Sequence, residues 1–218
     1  MRQLILDLLP DTTPSLENFV AGSNGEALTG LAAWLAPTNR EPQLFLWGEP
    51  GAGKSHLLQA CEAAYTDARL DPDLSTMPAT GDFHAVDNVD ALSDDGQMRL
   101  FSAINRLHGS AGRLLSAASV PPLRLALRED LRTRLGSSLV YRLRALSDGE
   151  KIAALTEQAS ARGLVLPPEA FNYLFARAPR DMRSLAALLV SIDRYSLEHQ
   201  RPVTLPLLRE ILQTSLDI

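Results

Sequence analysis

The chain has 218 residues, 45% hydrophobic, 22% charged and 6% aromatic, with a formal net charge of −5. That length buries one substantial core in one or two domains, and the apolar fraction is too high for a disordered chain. No apolar run approaches the ~20 residues of a membrane span, MRQLILDLLP is too short and too acidic at Asp7 for a signal peptide, and the single cysteine, Cys61, excludes an internal disulfide framework and fits a reducing cytoplasm. The mild acidity argues against nonspecific coating of nucleic acid. One oddity is that of 21 basic residues only Lys54 and Lys151 are lysine.

Residues 1–14 read as an extended tail, apolar from Leu4 to Leu9 and closed by Pro10 and Pro14. Leu28, Leu31, Ala32 and Leu35 follow i, i+3, i+4, i+7 spacing, which predicts a helix over residues 24–36. Residues 43–47 form a short apolar run before a glycine-rich turn and read as a buried strand, followed by a helix over 55–65 and a loop over 66–81 rich in Asp, Pro, Thr and Ser. Strands are expected at 83–86, 114–118 and, more weakly, 138–141, with a helix over 96–108. Strands alternating with helices favour a parallel sheet covered on both faces. After about residue 147 the pattern becomes helical throughout. Ser147 and Glu150 have capping-box spacing, and three stripes follow: Phe171, Leu174, Phe175, Ala178; then Met182, Leu185, Leu189, Ile192; then Leu205, Leu208, Leu212.

Gly48-Glu49-Pro50-Gly51-Ala52-Gly53-Lys54-Ser55 fits G-x-x-x-x-G-K-[ST] between an expected strand and an expected helix. Glycines let successive backbone N–H groups turn inward around a phosphate, and a helix N-terminus adds partial positive charge. Lys54 would reach the β- and γ-phosphates and the Ser55 hydroxyl would ligate Mg²⁺. The plainer reading, a chance glycine turn, is rare in this context. Such a site also needs a carboxylate at a neighbouring strand end to hold Mg²⁺ through water, and Asp87 stands there; the alternative is an Asp capping the next turn. Many ATPases carry an acid at the following position to polarise water. Here it is Asn88, and an amide accepts no proton, so weak intrinsic hydrolysis is expected, with Asp90 a substitute only if the backbone brings it round.

The order of these features is similar to that of the AAA+ ATPases. Within them the chain resembles the DnaA-related clade, most closely the family of DnaA regulatory inactivators. The resemblance rests on Asn18-Phe19-Val20-Ala21-Gly22-Ser23-Asn24, the phosphate loop, Asp87-Asn88, Asp130-Leu131-Arg132-Thr133-Arg134-Leu135 and Arg180-Asp181-Met182-Arg183, and it covers nearly the whole chain. It implies an α/β AAA+ core with a parallel sheet flanked by helices, over 15–146, and a small all-α lid over 147–218. Initiators add a C-terminal helix-turn-helix domain, which is not expected after this lid.

The tail Gln3-Leu4-Ile5-Leu6-Asp7-Leu8 resembles the family's sliding-clamp-binding hexapeptide, with Gln3 making polar contacts and Leu4, Leu6 and Leu8 filling clamp pockets. One such peptide binds weakly, and two on one clamp could gain by avidity; alternatively the tail packs on its own domain. Arg134 resembles the clade's arginine finger, which enters a neighbouring subunit's nucleotide site, and Arg183 its second sensor, which contacts phosphates from the lid. The bland alternatives are a solvated basic face, with arginine replacing lysine throughout, and a surface helix arginine. The resemblance implies bound ADP or ATP, with or without Mg²⁺, as a conformational cofactor. Its partners would be the sliding clamp and the DnaA initiator, with DNA met indirectly through the clamp, no membrane, and room for a homo-oligomer. The location would be cytoplasmic, beside the nucleoid. The rival readings are a self-sufficient ATPase of helicase-loader type and a clamp adaptor that stimulates no hydrolysis. Two departures stand out. The interval from Ser55 to Asp87 is shorter than usual, so a core strand and helix are expected to be reduced or missing. Ser119 and Val120 also replace the family's acid and arginine, which again points to poor hydrolysis in cis.

Overall fold

The computed structural model describes residues 13–78, 83–107 and 112–214, and the side chains of all these except Pro168 and residues 212–214. The chain divides into two compact units, with the boundary between Ala145 and Leu146.

In the first unit, β1 (Gln43–Trp47), β2 (Ala64–Asp67), β3 (Phe83–Asp87), β4 (Arg113–Ala118) and β5 (Leu139–Arg142) form one sheet in the order β2-β3-β4-β1-β5. Every pairing is parallel. Helices α1 (Gly25–Leu35), α2 (Lys54–Ala60), α3 (Asp94–Leu107) and α4 (Glu129–Gly136) cover it. Alternation along the strands sorts the core into two layers. Leu44, Leu46, Ala85 and Leu115 pack with Leu31 and Trp34 of α1 and Leu57 and Leu58 of α2. Phe45, Val86 and Leu114 face the other way, onto Leu100 and Ile104 of α3 and Leu131 and Leu135 of α4. Because α2 crosses over β4 and β3 to reach the edge strand β2, β1 lies where the strand order reverses, and its carboxyl end opens at the switch point where such sheets bind ligands.

Two expectations need correction. The helix after the phosphate loop ends at Ala60, not near 65: Glu62 takes a positive φ of 55°, and a carboxylate side chain gains nothing to offset that strain inside a helix. The chain then re-enters the sheet, so Tyr65, Thr66 and Asp67 are strand, not helix and loop. The core strand expected to be reduced or missing is therefore present in reduced form, four residues long and half-exposed at the edge. Among the described residues 68–78, no helix follows it. Helix α3 starts two residues earlier than expected, with Gly96 inside its first turn. Arg113 holds α1 to the sheet, donating to the carbonyls of Trp34, Leu35, Ala36 and Asn39 at 3.0–3.2 Å and capping the helix end.

The second unit contains α5 (Asp148–Ala161), α6 (Pro168–Arg177), α7 (Met182–His199) and α8 (Leu205–Thr214). Phe171, Leu174, Phe175, Leu185, Leu189, Ile192 and Leu208 are buried together, with Ala178, Met182 and Leu205 packed against them; the side chain of Leu212 lies outside the described residues. The capping box is formed: Ser147 Oγ accepts from Glu150 N at 3.2 Å, and Ser147 N donates to Glu150 Oε2 at 2.8 Å. No described helix is long and apolar enough to cross a membrane.

Candidate functional site

The segment 48–55 runs from the carboxyl end of β1 into α2. Gly51 and Gly53 take φ of 81° and 88°, a region side chains resist. At Gly48 the constraint is contact: a Cβ there would stand 2.1 Å from the Leu143 carbonyl oxygen. At Gly53 it would meet the Phe19 ring at 2.6 Å. Phe19 in turn lies edge-on to His56, 5.4 Å between centroids, and His56 Nε2 is 2.9 Å from the Ser15 carbonyl. The segment before α1 thus packs against the loop and the start of α2.

Lys54 is buried, and its ammonium donates to the carbonyls of Gly48 at 2.7 Å and Glu49 at 3.0 Å. Burial lowers its pKa, while the negative charges of Asp87 and Asp90 oppose that shift and the exposed Arg69 adds to it. Ser55 is half-buried at the second residue of α2.

Asp87 ends β3 and is fully buried. Its Oδ2 accepts from the Tyr65 hydroxyl at 3.0 Å and its Oδ1 from the Asn88 backbone N–H at 2.8 Å. Burial, then the adjacent Asp87 charge, push the Tyr65 phenol above its ordinary range. Asn88 has the left-handed φ of 53°, and its Nδ2 donates to Asp67 Oδ1 at 2.8 Å. One N–H of its carboxamide is therefore engaged by the end of β2. Asp90 accepts from the Ser119 hydroxyl and, at 3.4 Å, from the Ser119 N–H. Of the three positions that depart from the ATPase pattern, Asn88 and Ser119 each donate to a carboxylate, that of Asp67 and that of Asp90.

A left-handed glycine loop, one buried ammonium, an adjacent hydroxyl and a buried carboxylate form a set that suits a polyphosphate chain and a divalent cation. The loop backbone is also approachable, since a methyl group added at Gly51 would meet nothing within 4 Å. Gly48, Glu49, Pro50, Gly51, Ala52, Gly53, Lys54, Ser55 and Asp87 are brought to one end of the sheet. Cys61 is buried, and burial pushes its thiol up to about 11.

Arg134 stands apart, exposed on α4, against the opposite face of the sheet. Among the described residues no carboxylate pairs with it, whereas its neighbour Arg128 is bound by Asp130 at 2.9 Å. Arg183 is the second residue of α7 and exposed; it belongs to the other unit, where Asp181 caps the helix by accepting from Ser184 N at 2.9 Å. Gln3, Leu4, Leu6 and Leu8 lie outside the described residues. Sequence reasoning misses Tyr65 and Asp67; the aromatic and β-branched pair Tyr65-Thr66 is the strand signal that could have found them.

Residues 148–212 match the family model described as Hda, lid domain. Among solved structures, domain III of the Thermotoga maritima replication initiation protein DnaA aligns with a TM-score of 0.70 at 20% identity, covering 96% of this chain and 99% of that one. AMPPCP-bound DnaA from Aquifex aeolicus aligns at 0.68 and 21% identity, over 86% of this chain and 67% of that one. The Thermotoga maritima Holliday junction branch migration motor RuvB aligns at 0.63 and 16%, over 99% and 73%. The fold is that of the AAA+ proteins, as expected from the motif order, with a parallel sheet, flanking helices and a helical C-terminal lid.

Proposed function

We propose that this chain, which has a DnaA-like AAA+ fold and a lid of the Hda family, is a regulator of chromosome replication initiation that stimulates hydrolysis of DnaA-bound ATP. It docks on the DNA-loaded sliding clamp through Gln3, Leu4, Leu6 and Leu8. It then presents Arg134 to ATP held by the initiator. An adenine nucleotide, ADP in the resting protein, sits on residues 48–55, with Asp87 and Ser55 serving Mg²⁺ and Arg183 reading the phosphates from the lid. That nucleotide sets conformation and is not turned over quickly.

The observation that carries the reading is the contrast between Asn88 and Arg134. The position where an ATPase needs a water-polarising acid holds an amide already committed to Asp67, while Arg134 projects from α4 with no described carboxylate bound to it. A guanidinium supplied in trans is worth roughly 10³–10⁵ in phosphoryl-transfer rate, and its fixed charge and planar fork suit that role. Bound AMPPCP in a DnaA of the same fold supports an adenine nucleotide here.

The test is ATP turnover by purified DnaA with this protein and clamp-loaded DNA. Stimulation should need all components and vanish in Arg134→Ala. Stimulation absent throughout, with clamp binding intact, would leave a clamp adaptor instead. Turnover by this protein alone, lost in Lys54→Ala, would make it a self-sufficient ATPase.

A further inference from the structure

Tyr65 is not part of any motif in the sequence, yet it contacts the buried strand-end acid directly. The β2–β3 register pairs Tyr65 with Ala85 and Asp67 with Asp87, so Tyr65 and Asp87 stand on the same face of the sheet, one step apart. That is the face covered by α2, and Gln59 of α2 hydrogen-bonds the same phenol. The Tyr65 oxygen therefore joins the helix that follows the phosphate loop to the carboxylate at the end of β3.

A fully buried carboxylate is costly unless donors satisfy it. Asp87 has one donor from its own turn, the Asn88 N–H, and one from a different strand, the Tyr65 hydroxyl. The turn donor alone fixes one oxygen. The second donor stops rotation of the carboxylate plane and thereby fixes the direction in which its remaining lone pairs point. Those lone pairs are the ones that would receive metal-bound water.

We propose that Tyr65 is a positioning residue of the nucleotide site: its hydroxyl, bonded to Asp87 Oδ2, orients that carboxylate and so sets how strongly Mg²⁺ tightens nucleotide binding. The inference rests on the proposed nucleotide reading of residues 48–55. It also gives the short edge strand a reason to survive in a chain whose helix between β2 and β3 is absent among the described residues. Without β2 there is no second donor for Asp87.

The experiment is calorimetric titration of the full chain with ADP, once in excess Mg²⁺ and once in EDTA, for the natural protein, Tyr65→Phe, Asp87→Asn and the double variant. Tyr65→Phe should lose about tenfold in affinity in Mg²⁺, the usual worth of a hydrogen bond to a charged group, and nothing in EDTA. In the Asp87→Asn background the Tyr65 substitution should add no further loss. Equal losses in Mg²⁺ and EDTA would assign Tyr65 to packing and overturn the inference. So would an unchanged affinity in Mg²⁺, or a loss that persists in the Asp87→Asn background. If the natural protein binds no ADP, or binds it equally well as Lys54→Ala, the nucleotide reading falls and this inference with it; a failure confined to Tyr65→Phe leaves that reading standing.

Discussion

Asn24 and Arg144, 120 residues apart, exchange two hydrogen bonds: Asn24 Nδ2 donates to the Arg144 carbonyl at 2.9 Å, and Arg144 N donates to Asn24 Oδ1 at 2.8 Å. Asn24 thereby ties the start of α1 to the chain leaving β5, beside the Leu143 carbonyl that Gly48 abuts. Only a carboxamide offers a donor and an acceptor in that spacing. Asn24→Ala would remove the buried carboxamide that partners the Arg144 N–H and C=O and should cost about 1–2 kcal/mol, read as a lower denaturant midpoint at unchanged slope. Asn24→Asp keeps the acceptor, loses the donor and should also destabilise.

Such a pair explains where sequence reading stops. The phosphate loop, Asp87 and the lid cap are legible because each is a local pattern: a loop of fixed spacing, an acid at the end of an apolar run, a serine three residues before a glutamate. The Asn24–Arg144 clamp joins a helix start to the chain beyond β5, and the Tyr65–Asp87 contact spans two paired strands; both link residues distant in sequence, for which one sequence carries no period. Strand β2 reads as helix and loop because it is four residues long, exposed at Ala64 and buried only at Thr66, so no alternation of useful length exists. Its start is masked further by Glu62, whose left-handed turn follows α2 without a glycine or proline.

The two left-handed glycines of the loop should differ on substitution. Both Gly51→Ala and Gly53→Ala force a side chain into a positive φ, at about 1–2 kcal/mol. Gly51 has open space around it, while Gly53 would also drive a methyl into the Phe19 ring. Gly53→Ala should therefore lose more stability and more ADP affinity than Gly51→Ala, and Phe19→Leu should recover part of that difference. Thermal unfolding and calorimetry with ADP check both.

Restoring an acid after Asp87 should not restore hydrolysis. Asn88→Asp would replace the donor to Asp67 by a carboxylate facing a carboxylate, at the 2.8 Å contact now made by Nδ2. Like charges there repel, and the lost bond adds to the cost, so about 1–2 kcal/mol of stability should go. ATP turnover by the chain alone should stay at its basal level. Turnover appearing in Asn88→Asp would show that the residue faces the nucleotide after all.

In the lid, Ser147→Ala should cost about 1 kcal/mol, the ordinary worth of an N-cap, because it removes the acceptor for Glu150 N. Ser147→Asp supplies a new acceptor but places its charge against Glu150 and should recover only part. Denaturant unfolding of the full chain measures both.

Arginine is the background cation of this chain, so each arginine must be judged by what holds it. Arg113 caps α1 through four carbonyl contacts, Arg128 is held by Asp130, and Arg142 lies 5.0 Å over the Trp47 ring. These have structural employment. Arg113→Ala should destabilise the protein; Arg128→Ala and Arg142→Ala, both exposed, should change stability by little. Arg134 has no such partner among the described residues, so Arg134→Ala should leave unfolding within about 0.5 kcal/mol. It should nonetheless abolish stimulation of DnaA-bound ATP hydrolysis, and Arg134→Lys should not rescue it, since a point charge lacks the bidentate fork. Loss of stimulation equally in Arg124→Ala and Arg132→Ala would spread the effect over a basic face and take the finger role from Arg134.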